Sequence, residues 1–346
     1  MQWTKRSFSK AALALGVAIA SMPVTAMAQE VVLKLHQFLP AQANVPRLVL
    51  DVWADKVQKD SGGRIKIERF AAMQLGGKPP ELYDQAKDGL ADIIWTVNGY
   101  TPGRFPRSEV FELPFMMTNA EAVSRAYWDM FVKHMKDTEF AETKIIGTWV
   151  HGPGMFHTKN PVKTPDDLKG MKIRGGSRVI NNLLEKVGAQ PVGLPVTGVP
   201  EALSKGVIDG TTIPWEVTTA LKVPELVKNH TEFSGKALYT ITFVLAMNKA
   251  KYDGLPADLK KVIDDNSGQE FSAFAGKTQA GADGPARENA VKAGNNIVTI
   301  SEADTAKWRE LSQPVYDQWA TDVSAKGIDG KALIKEAQDL IAKYTK

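Results

Sequence analysis

Short apolar segments alternate with helical patterns through the first hundred residues, and this alternation limits the folds open to the chain. Residues 31–38, 64–70 and 91–97 are rich in apolar and β-branched side chains, which is typical of strands. The helical patterns between them begin at Pro46 and Pro79, and proline is favoured in the first turn of a helix. The order strand–helix–strand–helix–strand predicts an α/β domain.

A strand that meets a glycine turn and the start of a helix is the local feature most suggestive of a binding site. Met171–Arg174 predicts the strand, Gly175-Gly176 the turn and Ser177 the N-cap of the next helix. Arg174 would then end a strand beside the unpaired N–H groups of a helix start, and both features favour an anion. From spacing alone, an arginine that ends a strand is more often a solvated surface residue than a ligand-binding one.

The length of the chain suits two domains of ordinary size. HGPG at residues 151–154 interrupts the pattern after a predicted strand and marks a first crossing between domains. Residues 239–245 are apolar and β-branched, which predicts a strand shared by both domains at a second crossing. The predicted domains are residues 29–151 plus 240–280 for domain I and residues 152–239 plus 281–346 for domain II.

Residues 256–293 carry an unusually long helical pattern. At about 1.5 Å per residue such a helix could reach about 50 Å, which exceeds the diameter of one domain. We therefore expect this segment to bridge the two domains. Gly281, Gly284 and Pro285 are the points where we expect it to bend or break.

The N-terminus has the three parts of a secretory signal peptide. Three basic residues precede an apolar run over residues 11–20, and Ala26-Met27-Ala28 supplies a small-residue cleavage site. The apolar run is too short to cross a membrane, which takes about 20 residues. We expect residues 1–28 to be removed by cleavage after Ala28, which places the mature protein in the periplasm.

Charge and composition narrow the partners and the chemistry. Loss of the three basic residues of the signal peptide lowers the formal net charge from +4 to +1, so no nucleic acid or anionic membrane is predicted as a partner. The chain has no cysteine, which excludes disulfides, thiolate metal ligands and cysteine nucleophiles. It also lacks the phosphate-binding loop, the dinucleotide-binding loop and the common hydrolase motifs.

No catalytic, cofactor or metal site is predicted. Of the five histidines, only His151 and His157 are near one another in the sequence, and six residues across a Pro-Gly turn is not a metal-binding spacing. Carboxylates are scattered without a motif. We therefore do not expect an enzyme. A secreted enzyme on a similar two-domain frame is the alternative from another functional class.

Aromatic and polar residues gather at the predicted strand ends. Trp95 lies in a predicted strand and Asn98 just past its end, while His36 closes the first strand. Phe156 follows the HGPG break, and Trp215 follows the strand that contains VIDG. Each aromatic residue could instead pack in a domain core. Their convergence on one side favours a ligand cleft.

Three segments resemble the solute-binding subunits of tripartite ATP-independent periplasmic (TRAP) transporters. They are NPVKTPDDLKGMKIRGG from Asn160, VGAQPVGLP from Val187 and ALSKGVIDGTTIPWE from Ala202, and they match the family's three patterns in order and spacing. The motifs QLGG at residues 74–77, KDGLADI at 87–93 and FELPFMM at 111–117 extend the resemblance over nearly the whole mature chain.

The resemblance implies a two-domain periplasmic-binding-protein architecture of the α/β class, with a hinge, a ligand cleft between the domains and a long bridging helix. It also implies a receptor that captures a small organic carboxylate by hinge closure, without a cofactor. The expected partner is the TRAP membrane permease, to which the receptor would deliver the ligand. We expect the receptor to be a monomer.

Arg174 matches the family's arginine that pairs with the ligand carboxylate. Many members hold this carboxylate also with an asparagine, in whose place this chain has Ile213, and the second arginine of sialic-acid-binding members is absent at about Gly154. One cation beside aromatic rings predicts an aromatic or apolar monocarboxylate; a 2-oxo acid or a C4-dicarboxylate is the alternative. The predicted ligand-binding residues are Arg174, Trp215, Trp95, Phe156, Asn98, His36 and Ile213.

Overall fold

The computed structural model describes residues 30–345, so the predicted signal peptide over residues 1–28 lies outside the described residues. Within the described range, no helix is both long enough and apolar enough to span a membrane. The α/β fold class predicted from the sequence is confirmed, because the chain forms two separate sheets with helices packed against them.

The strands of the described chain are β1 (Val31–His36), β2 (Ile65–Phe70), β3 (Ile93–Val97), β4 (Thr143–Val150), β5 (Met155–Thr158), β6 (Lys172–Gly175), β7 (Gln190–Gly193), β8 (Gly210–Ile213), β9 (Asn229–Phe233), β10 (Thr242–Asn248) and β11 (Asn296–Ile300). The helices are α1 (Asp51–Asp60), α2 (Leu82–Asp88), α3 (Ala120–Met130), α4 (Arg178–Lys186), α5 (Val199–Ser204), α6 (Trp215–Thr218), α7 (Val223–Leu226), α8 (Lys249–Asp253), α9 (Ala257–Asp265), α10 (Gln269–Gly281), α11 (Asp283–Lys292), α12 (Thr305–Ser324) and α13 (Gly330–Tyr344).

The first sheet has the strand order β2-β1-β3-β10-β4. β1 runs parallel to β2 and β3, whereas β10 runs antiparallel to both β3 and β4. Every residue of β3 and β10 is buried, because α2 packs on these two strands while α3 and α10 pack on neighbouring β4. This burial explains why the two strands are continuous apolar runs in the sequence.

The second sheet has the order β11-β9-β5-β8-β6-β7. β6 lies between β7 and β8 and is parallel to both, so Arg174 sits beside Val192 on one side and Thr211 on the other. The predicted helix N-cap is present, since the Ser177 side chain accepts a hydrogen bond from the Ile180 amide (3.3 Å). α4 then packs on β6 and β7 and fixes the end of the strand that carries Arg174.

The chain crosses between the sheets at two neighbouring segments. It leaves the first sheet at Val150 and enters the second at Met155, then returns between β9 and β10. The Gly154 amide donates to the Tyr239 carbonyl (2.9 Å), which joins the two crossings. The predicted shared strand over residues 239–245 is wrong: β10 begins at Thr242 and pairs with strands of the first sheet, because residues 239–241 form the crossing itself.

The helical pattern over residues 256–293 forms three helices, α9, α10 and α11, rather than one long helix. The first break follows α9 and ends at Gly268, whose φ of 106° is a conformation that favours glycine. The second break is at Ala282, next to the predicted weak point Gly281. α10 packs on α3 of the first sheet and α11 on α6 of the second, so the segment as a whole still joins the two units.

The C-terminal helix differs from its predicted domain. The sequence assigns residues 281–346 to domain II, but α13 packs against α3, which lies on the first sheet. Tyr344 donates to Asp129 (2.6 Å) and Lys133 forms an ion pair with Glu336 (2.8 Å) across this contact. The apolar stripe of α13 predicts a helix but not its neighbour, so the exact domain boundaries stay a prediction.

Gly276 tests how closely α10 approaches α3. A Cβ atom at this position would lie 2.8 Å from the Ala120 carbonyl oxygen and would collide with the Ser124 hydroxyl, whereas Gly281 in the same helix has open space. We expect Gly276→Ala to lower the free energy of unfolding by about 1–3 kcal/mol. Gly281→Ala, the matched control, should change it by less than about 1 kcal/mol. Urea denaturation measures both, and equal stability of the two variants would contradict this packing.

Candidate functional site

A small cavity lies between the two sheets. The first sheet lines it with Trp95 and Val97 of β3 and Phe243 of β10, and the second with Arg174 of β6 and Thr212 and Ile213 of β8. The centre of a water molecule can reach about 40 Å³ of it, and about 10–15 Å³ of such space holds one water. The cavity is therefore a real internal space with one polar and one aromatic side.

Arg174 is the charged residue on the polar side, and only 2 % of its surface is exposed. Its Nε donates to the Leu194 carbonyl (2.8 Å) and its Nη1 to the Thr212 carbonyl (3.3 Å). These acceptors are neutral, and among residues 30–345 no Asp or Glu oxygen lies within 4 Å of the guanidinium. A buried charge without a counter-charge is costly, so the site favours an anion.

The glycine turn after β6 makes room for this guanidinium. A Cβ atom on Gly176 would lie 3.2 Å from both Nη atoms of Arg174 and 2.5 Å from the Ile241 side chain. Any larger residue at this position would therefore push the guanidinium or the crossing segment out of place. The Gly-Gly pair has a positioning role that the sequence pattern alone did not reveal.

Hydroxyl groups and a neutral imidazole complete the polar side. The Tyr100 hydroxyl accepts a hydrogen bond from the Val196 amide (2.9 Å), and the Tyr239 hydroxyl is buried without a partner. Burial raises the pKa of both phenols, so both stay protonated and can donate. Burial, together with the charge of Arg174, lowers the pKa of His151 to about 4, so His151 adds no second cation at neutral pH.

Stacked rings form the opposite side. The Trp95 ring stacks on Phe38 (4.5 Å between centroids, 19° between planes) and on Phe243 (5.5 Å, 21°). Trp149 stacks behind Trp95 at 6.3 Å. Flat, rigid rings of this kind suit the face or edge of another aromatic ring. The Trp95 indole N–H is buried here without a hydrogen-bond partner.

Glu216 brings an unexpected carboxyl to the cavity wall, with 2 % of its surface exposed. Its Oε1 accepts a hydrogen bond from the Gln279 amide (2.7 Å), and its Oε2 has no partner. Burial, aided by the neighbouring carboxyl of Asp283, raises the pKa of this carboxyl to about 8. Glu216 is therefore mainly protonated and neutral at pH 7.

Three of the predicted ligand-binding residues, Arg174, Trp95 and Ile213, meet in this cavity. His36 and Asn98 do not line it. The His36 Nδ1 donates to Gln85 (2.6 Å) and Asn98 donates to the Tyr127 hydroxyl (2.6 Å), so both side chains are used inside the first unit. Because His36 ends one strand and Asn98 follows another, the sequence predicted both residues in the cleft. Their side chains point into the core instead.

Phe156 and Trp215 also lie outside this cavity. Phe156 packs against Trp308 (5.7 Å between centroids) because its side of β5 faces the α12 helix. Trp215 packs against His230 (4.8 Å) and donates to Glu232 (3.2 Å), away from the cavity. The next residue, Glu216, lines the cavity instead, since neighbouring residues at a helix start point in different directions.

The residues that sequence reasoning missed are Phe38, Tyr239, Phe243, Glu216 and Gln279. Tyr239 lies in the crossing, Gln279 in the bridging segment and Phe38 just past the end of β1. These segments are far apart in the sequence and come together only in the folded protein. Among residues 30–345 no group of three or more His, Asp or Glu residues is placed to hold a metal ion.

Comparison with known proteins gives a consistent result. Residues 39–322 match the model of the family described as bacterial extracellular solute-binding protein, family 7. The chain is similar to the crystal structure of a TRAP solute-binding protein from Rhodoferax ferrireducens in complex with copurified benzoate: 51% identity, 91% of this chain and 98% of that chain covered, TM-score 0.90.

Two further solved structures are similar. One is a marine metagenome TRAP solute-binding protein specific for aromatic acid ligands, in complex with 3-hydroxybenzoate (46% identity, 92% of this chain and 100% of that chain covered, TM-score 0.90). The other is a TRAP periplasmic solute-binding protein from Bordetella bronchiseptica with bound mandelate (29% identity, 90% and 99% covered, TM-score 0.83).

Two arginines four residues apart allow a test of the unpaired charge. Arg178 forms ion pairs with Glu109 and Asp322, whereas Arg174 donates to two carbonyl oxygens and has no carboxylate partner among the described residues. We expect Arg178→Met to lower the free energy of unfolding by at least about 2 kcal/mol, because it leaves a largely buried carboxylate unpaired.

Arg174→Met removes a buried charge that has no partner, at the expense of two hydrogen bonds to carbonyls. These effects oppose each other, so the free energy of unfolding of the ligand-free protein should change by less than about 1 kcal/mol. Chemical denaturation measures both variants. A larger loss for Arg174→Met than for Arg178→Met would mean that Arg174 serves the fold.

Proposed function

The chain belongs to the TRAP transporter solute-binding subunits, bacterial extracellular solute-binding protein family 7, and from this premise we propose that it captures a small aromatic monocarboxylate in the periplasm and delivers it to a TRAP membrane permease. The observation that carries the proposal is the buried, unpaired guanidinium of Arg174 at one side of a cavity whose other side is aromatic.

Arg174 is the proposed anchor for the ligand carboxylate. Two of its guanidinium nitrogens already donate to neutral carbonyls, and the remaining N–H groups are free to form a paired contact with two carboxylate oxygens. The Tyr239 hydroxyl supplies a further unpaired donor on the same side. A carboxylate at this point would both neutralise the buried charge and satisfy these donors.

The stacked rings support an aromatic body for the ligand. A benzene ring attached to the carboxylate would meet the wall formed by Phe38, Trp95 and Phe243, which gains apolar burial and ring contacts. Solved relatives with 51% and 46% identity hold benzoate and 3-hydroxybenzoate, which agrees with this chemistry.

The alternative ligands predicted from the sequence, a C4-dicarboxylate or a 2-oxo acid, fit the residues that line this cavity less well. A second carboxylate would need a second cation, and the described residues that line the cavity include none besides Arg174, because His151 is neutral. An unpaired buried carboxylate costs several kcal/mol. The carboxyl of Glu216 would also repel it whenever Glu216 ionises.

Hinge closure is the proposed means of capture. The cavity is walled by both sheets, so separation of the two units would widen its entrance for a ligand. Contacts that span the units include Tyr100 with Val196 and Glu109 with Arg178, while the joined crossings at Gly154 and Tyr239 provide a place to bend. Closure excludes water, which strengthens the charge pairing.

Isothermal calorimetry with benzoate tests the proposal. We expect wild type to bind benzoate and not benzyl alcohol, which keeps the ring and loses the charge, and to bind succinate at least about tenfold more weakly. At a hundredfold excess over Kd, benzoate should raise the free energy of unfolding by about 2.7 kcal/mol. Recovery of unchanged benzoate after prolonged incubation separates a receptor from an enzyme.

Arg174→Met should abolish measurable benzoate binding because the ligand loses its counter-charge. Lys172→Met is the matched control, since Lys172 lies two residues earlier in the same strand with an exposed side chain. This variant should bind benzoate with the affinity of wild type. Benzoate binding by Arg174→Met at wild-type affinity, or tighter binding of succinate, would overturn the proposed ligand class.

A further inference from the structure

We propose that Glu216 is a specificity-determining residue that selects aromatic acids carrying a hydroxyl group on the ring. This inference rests on the proposed function, since it concerns the same cavity. It follows from a carboxyl group that lies in the cavity wall, is held in place by its neighbours and has one oxygen atom without a hydrogen-bond partner.

Glu216 is held rigidly by three separate segments. Its backbone amide donates to Asp283 Oδ1 of α11 (2.8 Å), and its carbonyl accepts from the Asn44 side chain (2.8 Å). Its carboxyl Oε1 accepts from Gln279 of α10. Gln279 is itself fixed by Trp149, whose indole N–H donates to it (2.8 Å). These contacts fix the backbone of Glu216 and hold its carboxyl at Oε1.

This arrangement leaves Oε2 as an unsatisfied atom in an otherwise ordered network. A buried polar atom without a partner is unusual in folded proteins and calls for an explanation. No described residue forms a well-aligned hydrogen bond with Oε2, and the Asn44 side chain, which donates to the Glu216 backbone carbonyl, is the other polar group beside the carboxyl. A polar group on the ligand is the partner that the site lacks.

The protonation state of Glu216 indicates which polar group fits. Burial raises the pKa of its carboxyl to about 8, so at neutral pH the carboxyl carries a proton. Because Oε1 already accepts from Gln279, the proton is best placed on Oε2, where it can be donated. A ring hydroxyl can accept this proton or donate in return, and it adds no charge that would compete with the carboxylate bound at Arg174.

Among the described residues around the cavity, no other titratable group is better placed than Glu216 to form a hydrogen bond with a ring hydroxyl. Asp283 faces the backbone of Glu216, and burial raises the pKa of its carboxyl to about 7. The Arg174 guanidinium lies more than 4 Å from the Glu216 carboxyl oxygens, and His151 is neutral. The Trp95 N–H is also unpaired and could donate to a ring hydroxyl. Variants of Glu216 distinguish its contribution from those of the Trp95 N–H and the Tyr239 hydroxyl, which is also unpaired.

Calorimetry with matched ligand pairs tests the proposal at pH 7. The pairs are 3-hydroxybenzoate with 3-methylbenzoate and 4-hydroxybenzoate with 4-methylbenzoate, because hydroxyl and methyl groups are similar in size. We expect wild type to bind the hydroxyl member of at least one pair about tenfold or more tightly, since the methyl group leaves Oε2 unsatisfied. Benzoate measured alongside reports on the Arg174 anchor.

Glu216→Leu should reduce the hydroxyl preference to about twofold or less, because the side chain can no longer form a hydrogen bond. Glu216→Gln keeps a donor in the same place and should retain the preference. The preference is the affinity ratio within each ligand pair, so a change in benzoate affinity that is common to both members of a pair cancels. Thermal unfolding confirms that each variant is folded.

A pH series gives a second readout that does not need the leucine variant. Between pH 7 and 9 the Glu216 carboxyl loses its proton in wild type, which adds a negative charge to a cavity that holds an anion. Benzoate affinity should therefore fall severalfold in wild type. Glu216→Gln should show a smaller loss, which reports the remaining contribution of Asp283 and the other groups.

The outcomes separate the two levels of the proposal. If wild type binds benzoate but shows no hydroxyl preference in either pair, or if Glu216→Leu keeps the preference, the role of Glu216 is overturned while the proposed function stands. If wild type binds neither benzoate nor any ligand of the panel, the proposed function fails first. Loss of the preference only in Glu216→Leu supports the inference.

Discussion

The buried guanidinium of Arg174 is the physical constraint on which the cavity depends. Burying a charge among neutral carbonyls costs free energy that folding alone does not recover. The surrounding structure nevertheless fixes this side chain, with Gly176 leaving space for it and α4 holding the end of its strand. Under the proposed function, a bound carboxylate would neutralise this charge and offset the cost of burying it.

The two sheets make different contributions to the cavity. The second sheet supplies the cation, while the first supplies the stacked rings of Trp95 and Phe243. The bridging segment between them places Gln279, which orients Glu216. Because each contribution comes from a different unit, the complete cavity wall forms only when the units are together, as the proposed hinge closure requires.

Much of the fold follows from local patterns, but only part of the site does. The strand, glycine turn and N-cap around Arg174 are local signals, and they predicted both the elements and the charged residue. Trp215 and Glu216 adjoin at a helix start, where no periodicity indicates which one faces the cavity. Gln279 and Tyr239 meet the cavity through tertiary contacts alone. The long helix was overestimated because an apolar pattern continues across Gly268, where the backbone turns.

A crystal structure of the protein grown with benzoate tests the role of Arg174 most directly. We predict both carboxylate oxygens within about 3 Å of the Arg174 guanidinium nitrogens, which is the hydrogen-bond range for charged pairs, and the benzene ring against Trp95 and Phe243. A benzoate bound in the cavity with its carboxylate turned away from Arg174, toward Glu216 or solvent, would contradict the account.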